Sequence, residues 1–244
     1  AAPAAPVEAV HVRSEAELTR EIEAVAGALD PKAHWEGRIE AMRRLEGLVL
    51  GGATSMPAFG PHLKHLRDLI TKQVEDRRSA IVRQASHLVV VLASYLGRDM
   101  EQLAEHLTPV LFTVSVITVQ VIAESGDACM RGILRHCHAP RLLPKLAGAL
   151  RTHRSNKLKA LCAEWAFVVV EEWADHEVEH SLEQVEECIL AAASGSAAGS
   201  RTAARAAFGH FAYRFPHHAQ RLLSKMDATT QRFISAGGSA GAAE

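Results

Sequence analysis

No excess charge of either sign marks this chain of 244 residues. Its 27 Lys and Arg stand against 28 Asp and Glu, a formal net charge of −1. That balance excludes the global basic footprint expected of a nucleic-acid-binding domain. Cysteine is scarce too: Cys129, Cys137, Cys162 and Cys188 form no CxxC pair and read as reduced core thiols of an intracellular protein. The chain does not open on Met, and no basic, apolar, small-residue signal sequence is present, so it reads as an excerpt of a longer protein. One segment, Leu107 to Ala123, "LTPVLFTVSVITVQVIA", carries no charge and mostly apolar residues. It is slightly short for a membrane span, holds Pro109 and mixes in Thr, Ser and Gln, so it reads as a buried element and no span is expected. Its Val, Ile and Thr favour a strand, yet no neighbouring segment alternates like a strand partner, and helix is the better reading.

What is present is helix, with 48% hydrophobic and 23% charged residues, ordinary for a soluble globular protein. "AAPAAPVEA" and "SAGGSAGAAE" are small-residue tails, so residues 1–12 and 236–244 are expected as linkers around a domain at 13–235. Ser14 with Glu17 makes a capping box for a first helix to about Leu29. Further helices are expected at 34–50, 57–73, 77–96, 99–112, 116–136, 139–151, 155–174, 177–194, 200–214 and 216–234. Pro57, Pro140 and Pro216 fall at helix starts, where a missing N–H costs little, whereas Pro144 is expected to kink its helix.

The helices come in pairs. Second members begin near Trp35, Arg77, Ile117, Ser155 and Arg201, at intervals of about 42, 40, 38 and 46 residues, close to the ~40–47 period of HEAT and armadillo arrays. One pair cannot bury its apolar faces alone, so the pairs must stack into an all-α solenoid, five pairs plus a final helix or partial pair. Charge is distributed in blocks. Arg131 to Lys159 holds eight Lys or Arg and no acid; Ala160 to Leu190 holds nine Asp or Glu and no Lys or Arg. Ala191 to Arg232 is basic again, opposed only by Asp227. Such blocks can be solvated helix faces. Within each pair, however, cations gather at the turn, in "EDRRSAIVR", "HRSNKLK" and "GSRTAAR". In a solenoid those turns line up on one edge, an electrostatic footprint for an acidic partner.

Trp35 stands just ahead of an apolar stripe formed by Ile39, Met42, Leu45 and Leu48. It is either a staple fixing the chain's entry onto the helix or a large apolar group shown to a partner. "HEVEH" at His176–His180 matches the HExxH zinc-peptidase pattern, with Glu177 as general base. It lies in an acidic stretch with no distinct third ligand following, and catalysis there is not favoured. "HCH" at His136–His138 sits at a helix end, where histidines favour the dipole and can cap. "SGSAAGS" (Ser194–Ser200) lacks the Gly-Lys-Ser/Thr ending of a phosphate loop and reads as a flexible turn; no GxSxG elbow occurs. Trp165 and Trp173 lie inside helical patterns and read as core. No enzyme and no cofactor is indicated.

Several passages resemble one family in order and spacing. They are "HWEGRIEAMRRLEGLVLGGA", "DRRSAIVRQASHLVVVLASYLG", "SGDACMRGILRHCHAPRLLPKL", "SNKLKALCAEWAFVVVEEW" and "SRTAARAAFGHFAYRF". Together, over about 34 to 234, they are similar to a CLASP-family TOG domain, an array of six HEAT repeats. The third carries the most family-specific pattern, R-x-I-[IL]-R-H-x-H-x-P-R-L-[IL]-P. The resemblance implies binding of αβ-tubulin through the intra-repeat turns, with effects on microtubule dynamics and a cytoplasmic, cytoskeletal location. It implies a domain monomeric by itself. Trp35 matches the exposed aromatic of the first turn, and Arg77, Arg78 and Ser79 match the second. Gln120 and Val121 stand where the third turn has Lys and Ile. Lys157 and Lys159 occupy the fourth, and Arg201 with Arg205 matches the paired arginines of the fifth. Arg77 replaces an apolar residue, Gln120 loses a charge, and the fifth turn is rich in Gly, Ala and Ser where acids are usual. The alternative is a HEAT scaffold that binds another protein without tubulin affinity.

Overall fold

The computed structural model describes residues 6–236. Two compact units divide the chain, one up to Cys137 and one from His138. In the first, α1 (Glu15–Ala28), α2 (Trp35–Leu50), α3 (Phe59–Val74), α4 (Ser79–Leu96), α5 (Glu101–Val114) and α6 (Gln120–Cys137) form three consecutive antiparallel pairs. Helices α1, α3 and α5 pack as one layer and α2, α4 and α6 as the other. Every first-to-second-helix turn of this unit therefore lies at the same edge.

Local chemistry sets the elements. Ser14 Oγ accepts the Glu17 N–H at 3.2 Å, while Glu17 reaches back to the Arg13 N–H at 2.8 Å. Leu18, Ile22 and Val25 then fall on one buried face. On α4 the buried face is Ile81, Val82, Ala85, Leu88, Val89 and Leu92. Helix α6 approaches α4 closely at Gly132, where a Cβ would meet Val90 Cγ2 at 2.5 Å.

Residues 6–12, expected as free linker, are docked. The Val10 N–H donates to the Gly47 carbonyl at 2.8 Å, and a Cβ on Gly51 would meet the Val10 carbonyl oxygen at 2.0 Å. Gly47 in the last turn of α2 and Gly51 just past its end thus open a seat for an extended segment, a signal the alanine-rich composition hid. Residues 1–5 and 237–244 of the expected linkers lie outside the described residues.

The uncharged run 107–123 is not one element. It contains the end of α5, a turn at 115–119 and the start of α6, so the helix expected from 116 begins at Gln120. The β-branched series Val114, Val116, Ile117, Thr118, Val119 disfavours helix, and Ile117 packs instead on Val82, Val114 and Ile122. Pro144, expected to kink, is the third residue of α7 (Leu142–Thr152), where its N–H would have had no intrahelical partner. The interior proline is Pro109, within α5.

The second unit continues from α7 with α8 (Asn156–Glu172), α9 (Asp175–His180), α10 (Leu182–Ala193), α11 (Ala198–Arg214), α12 (Pro216–Ser224) and α13 (Ala228–Ser235). The helix expected at 177–194 breaks at Ser181 into α9 and α10. The one expected at 216–234 divides at Asp227, which caps α13 through the Thr229 and Thr230 N–H groups. Two short helices therefore close the described residues, which hold six pairs in chain order, three in each unit, with α9 and α10 counted as one member. Trp165 and Trp173 are core, 0% and 1% exposed. All four cysteines are free and buried; burial pushes the Cys129 and Cys188 thiols up to about 12.

Candidate docking edge

Turn 1 of the first unit ends in Trp35, the first residue of α2. The buried face of that helix is carried by Arg38, Met42, Leu45 and Val49, from about one to about four turns further on. Trp35 is 37% exposed and leans toward the His34 ring, with centroids 6.1 Å apart. A staple would sit in the core; this indole sits at the rim.

Turn 2 carries Arg77 and Arg78, both exposed, with Ser79 half-buried as the first residue of α4. A groove between turns 1 and 2 is lined by Lys32, Lys72, Arg77 and Arg78 together with Asp30 and Asp76. Asp76 is held from two sides, by the Arg38 Nη2 at 2.7 Å and the Arg78 backbone N–H at 2.8 Å. Burial raises its pKa, but the bonds from Arg78 and Arg38 outweigh burial, and the carboxyl stays below its ordinary range. Arg38 itself is 1% exposed and donates through Nε to Gln73 Oε1 at 2.7 Å. Gln73 in turn donates to the Leu29 carbonyl of turn 1 at 2.8 Å.

Turn 3 exposes aliphatic surface. Val119 is 51% and Val121 45% exposed, while Gln120 donates to Glu124 Oε1 on its own helix at 2.7 Å. Val119 was missed in the sequence because it stands in an apolar run that reads as core.

In the second unit the expected residues divide. Lys157 is exposed and Lys159 half-buried in the first turn of α8. Arg201 and Arg205 are half-buried and turned to the fold. Arg201 Nη1 donates to the Gly195 and Ser196 carbonyls at 3.1 and 2.9 Å, and the Arg205 guanidinium lies 4.1 Å from the Phe233 ring centre on α13. Both guanidinium groups of this pair are thus engaged within their own unit. The Gly/Ser turn is corrected: Gly199 and Ser200 already belong to α11, the Ser200 hydroxyl donates to the Ala192 carbonyl, and Arg201 pins the rest.

A model of the CLASP N-terminal family matches residues 18–235. The chain belongs to the CLASP N-terminal family. CLIP-associated protein of Arabidopsis thaliana is 42% identical over 231 residues, which cover 94% of this chain and 16% of that protein. CLIP-associating protein 1 of Xenopus tropicalis is 28% identical, covering 93% of this chain and 16% of its own length. The chain thus spans about 16% of the curated relatives it matches. Among solved structures, one described for microtubule plus-end tracking by XMAP215, CLIP-170 and EB1 superposes with a TM-score of 0.68 at 15% identity, covering 95% of this chain and 93% of that one. The MAST/Orbit N-terminal domain gives 0.61 at 14% identity, covering 95% and 97%. A TOG domain of Crescerin gives 0.63 at 16% identity, covering 91% and 89%. These likenesses establish the fold, the helical solenoid of TOG domains.

The H-x-H stretch at 136–138 of this CLASP-family chain has a structural use at its second histidine. His138 takes a left-handed backbone, φ 46°, and its Nδ1 faces Glu177 Oε1 at 2.8 Å, with the ring 5.4 Å from Trp173. Glu177 Oε2 accepts the Ala174 N–H at 3.2 Å, and His180 Nδ1 faces the His176 carbonyl. The HExxH side chains therefore do not converge. Among the described residues, no three His, Cys, Asp or Glu side chains group as a metal site.

Proposed function

We propose that this CLASP-family domain binds αβ-tubulin through its intra-pair turns, as one part of a longer protein that regulates microtubule dynamics in the cytoplasm. The observation that carries this reading is the edge of the first unit. Large hydrophobic side chains are exposed at only five described positions, and three of them, Trp35, Val119 and Val121, stand at its turns, with Arg77 and Arg78 in the turn between. An aromatic and arginines beside small aliphatic patches are hot-spot chemistry for a partner with an acidic strip and apolar flanks.

The helix dipole supports the same reading. Cations near a helix N-terminus are unfavourable by about 0.3–1 kcal/mol where exposed. Yet α4 opens behind Arg77 and Arg78, and α8 holds Lys157 and Lys159 in its first turn, with no acid in the first turn of either. Charge placed against the dipole is placed for something other than helix stability. Lys157 and Lys159 are the second unit's contribution to the contact, and Ser79, Gln120 and Val121 flank the first unit's anchors. No bond is made or broken; dynamics change only if one tubulin state is bound more tightly than another.

The test is co-migration with αβ-tubulin over a range of salt. Wild type should bind, and Trp35→Glu and Arg77→Ala/Arg78→Ala should each weaken binding. Equal binding by both variants would remove this edge from the contact. No binding by wild type at any salt would leave the HEAT-scaffold reading.

A further inference from the structure

A buried arginine in this domain joins two of its turns. Arg38 lies in phase with Met42, Leu45 and Val49 on the core face of α2, a position for an aliphatic side chain. Buried ion pairs of this kind are often replaceable by apolar residues without loss of stability. What an apolar residue could not do is join two loops. One bonded chain runs from the Leu29 carbonyl of turn 1, through Gln73, Arg38 and Asp76, to the Arg78 backbone N–H of turn 2. Four of its bonds are 2.7–2.8 Å, and Arg38 and Gln73 are 1% and 0% exposed. Its two ends lie beside the groups offered to the partner, Trp35 following turn 1 and Arg77 and Arg78 in turn 2.

We propose that Arg38 is the positioning residue of the docking edge. It never meets the partner; it fixes turns 1 and 2 against each other so that the indole and the two guanidinium groups are presented in one geometry. This rests on the tubulin reading above. Arg38 also answers an electrostatic problem. Asp76 would set a carboxylate beneath the cations meant for an acidic surface, and the buried guanidinium neutralises it from below. Pre-organisation of this kind raises affinity by removing the ordering cost of two loops on binding.

The experiment uses the full chain, αβ-tubulin and a salt series, with hydrogen exchange of the free protein beside it. Arg38→Met should weaken binding by about tenfold, or about 1.4 kcal/mol, with the helical spectrum kept. The slope of log Kd against log salt should stay at the wild-type value, because no surface ion pair is lost. Arg77→Ala/Arg78→Ala should lower that slope. Arg38→Lys, which keeps the charge and a donor, should recover part of the affinity. Arg38→Met/Asp76→Asn should stay weak, since charge balance returns but the link does not. Wild-type affinity in Arg38→Met, or full recovery in the double variant, would overturn the proposal. If Arg38→Met does not fold, Arg38→Lys decides. Faster exchange at amides 30, 32–34 and 76–79 with weaker binding supports the positioning role, and wild-type values of both overturn it. Failure of wild type to bind tubulin defeats the tubulin reading alone, because exchange at the two turns is read without a partner.

Discussion

The two units are built alike and use their arginines differently. Each stacks three helix pairs, and each has cations at its turns. In the first unit the buried Arg38 supports a turn whose Arg77 and Arg78 face solvent. In the second, three arginines are half-buried and turned to the fold. Arg201 holds the carbonyls of its own turn, Arg205 covers Phe233, and Arg214 binds the Val170 and Trp173 carbonyls and Asp175. Buried Glu186 draws in Arg221 and Lys225, each at 2.9 Å. The difference teaches that a cation at a solenoid turn is not thereby a contact residue. Where loops are short of acids, as in "SGSAAG", a guanidinium satisfies backbone carbonyls instead.

That contrast can be broken most directly at Trp35. Trp35→Glu should lower tubulin affinity about 100-fold, about 2.7 kcal/mol, with the melting temperature unchanged, measured by titration and thermal denaturation. A large loss of stability instead would make the indole a structural staple. Arg214→Ala should do the converse, costing about 1–3 kcal/mol of unfolding free energy in a denaturant titration because two carbonyls lose charged donors, with affinity unaffected. Arg205→Ala sharpens the comparison, since the half-buried Phe233 ring is its neighbour. Stability should fall by about 1 kcal/mol and affinity change less than about twofold. An affinity loss matching that of Trp35→Glu would put the second unit's arginines back at the partner.

The smallest effect is a pH dependence. Asp76 in the first unit and Glu186 in the second both have lowered pKa values, for Glu186 because Lys225 and Arg221 outweigh the effect of burial. A lowered folded-state pKa gives stability that is present above the ordinary carboxylate value of about 4 and is lost as pH falls through the folded value. Asp76→Asn and Glu186→Gln should therefore each flatten the fall of stability below about pH 4, seen by urea unfolding at stepped pH. Asp76→Asn should also weaken tubulin binding and Glu186→Gln should not, which separates the two units once more.

Much of the fold was legible. The helical period, the capping of the first helix at Ser14 and the repeat interval together required a stacked all-α array, and six pairs are present. What misled was local. The β-branched run at 114–119 was absorbed into a helix, though its residues favour the turn they form. "SGSAAGS" read as a flexible turn, though Ser200 and Arg201 bind it down. The site was legible by position more than by role. Trp35, Arg77, Arg78 and Val121 are exposed at the turns where they were expected. Val119 passed as core and Arg38 as one more charge in "RIEAMRR", although its phase with Met42 and Leu45 was a readable sign of burial.

The sequence by itself determined the elements and their repetition, because helix periodicity, caps and repeat spacing are written within a turn or two of each residue. It also determined that cations collect at the turns. Only the tertiary structure decided which of them are offered outward. A long flexible side chain goes to whatever carbonyl, carboxylate or ring stands within reach, and those partners come from elsewhere in the chain. Phe233 meets Arg205 from 28 residues away, and Asp76 meets Arg38 from 38 away. Spacing along the chain carries no record of such meetings, so the same residue type at the same turn position became a surface group in one unit and an internal brace in the other.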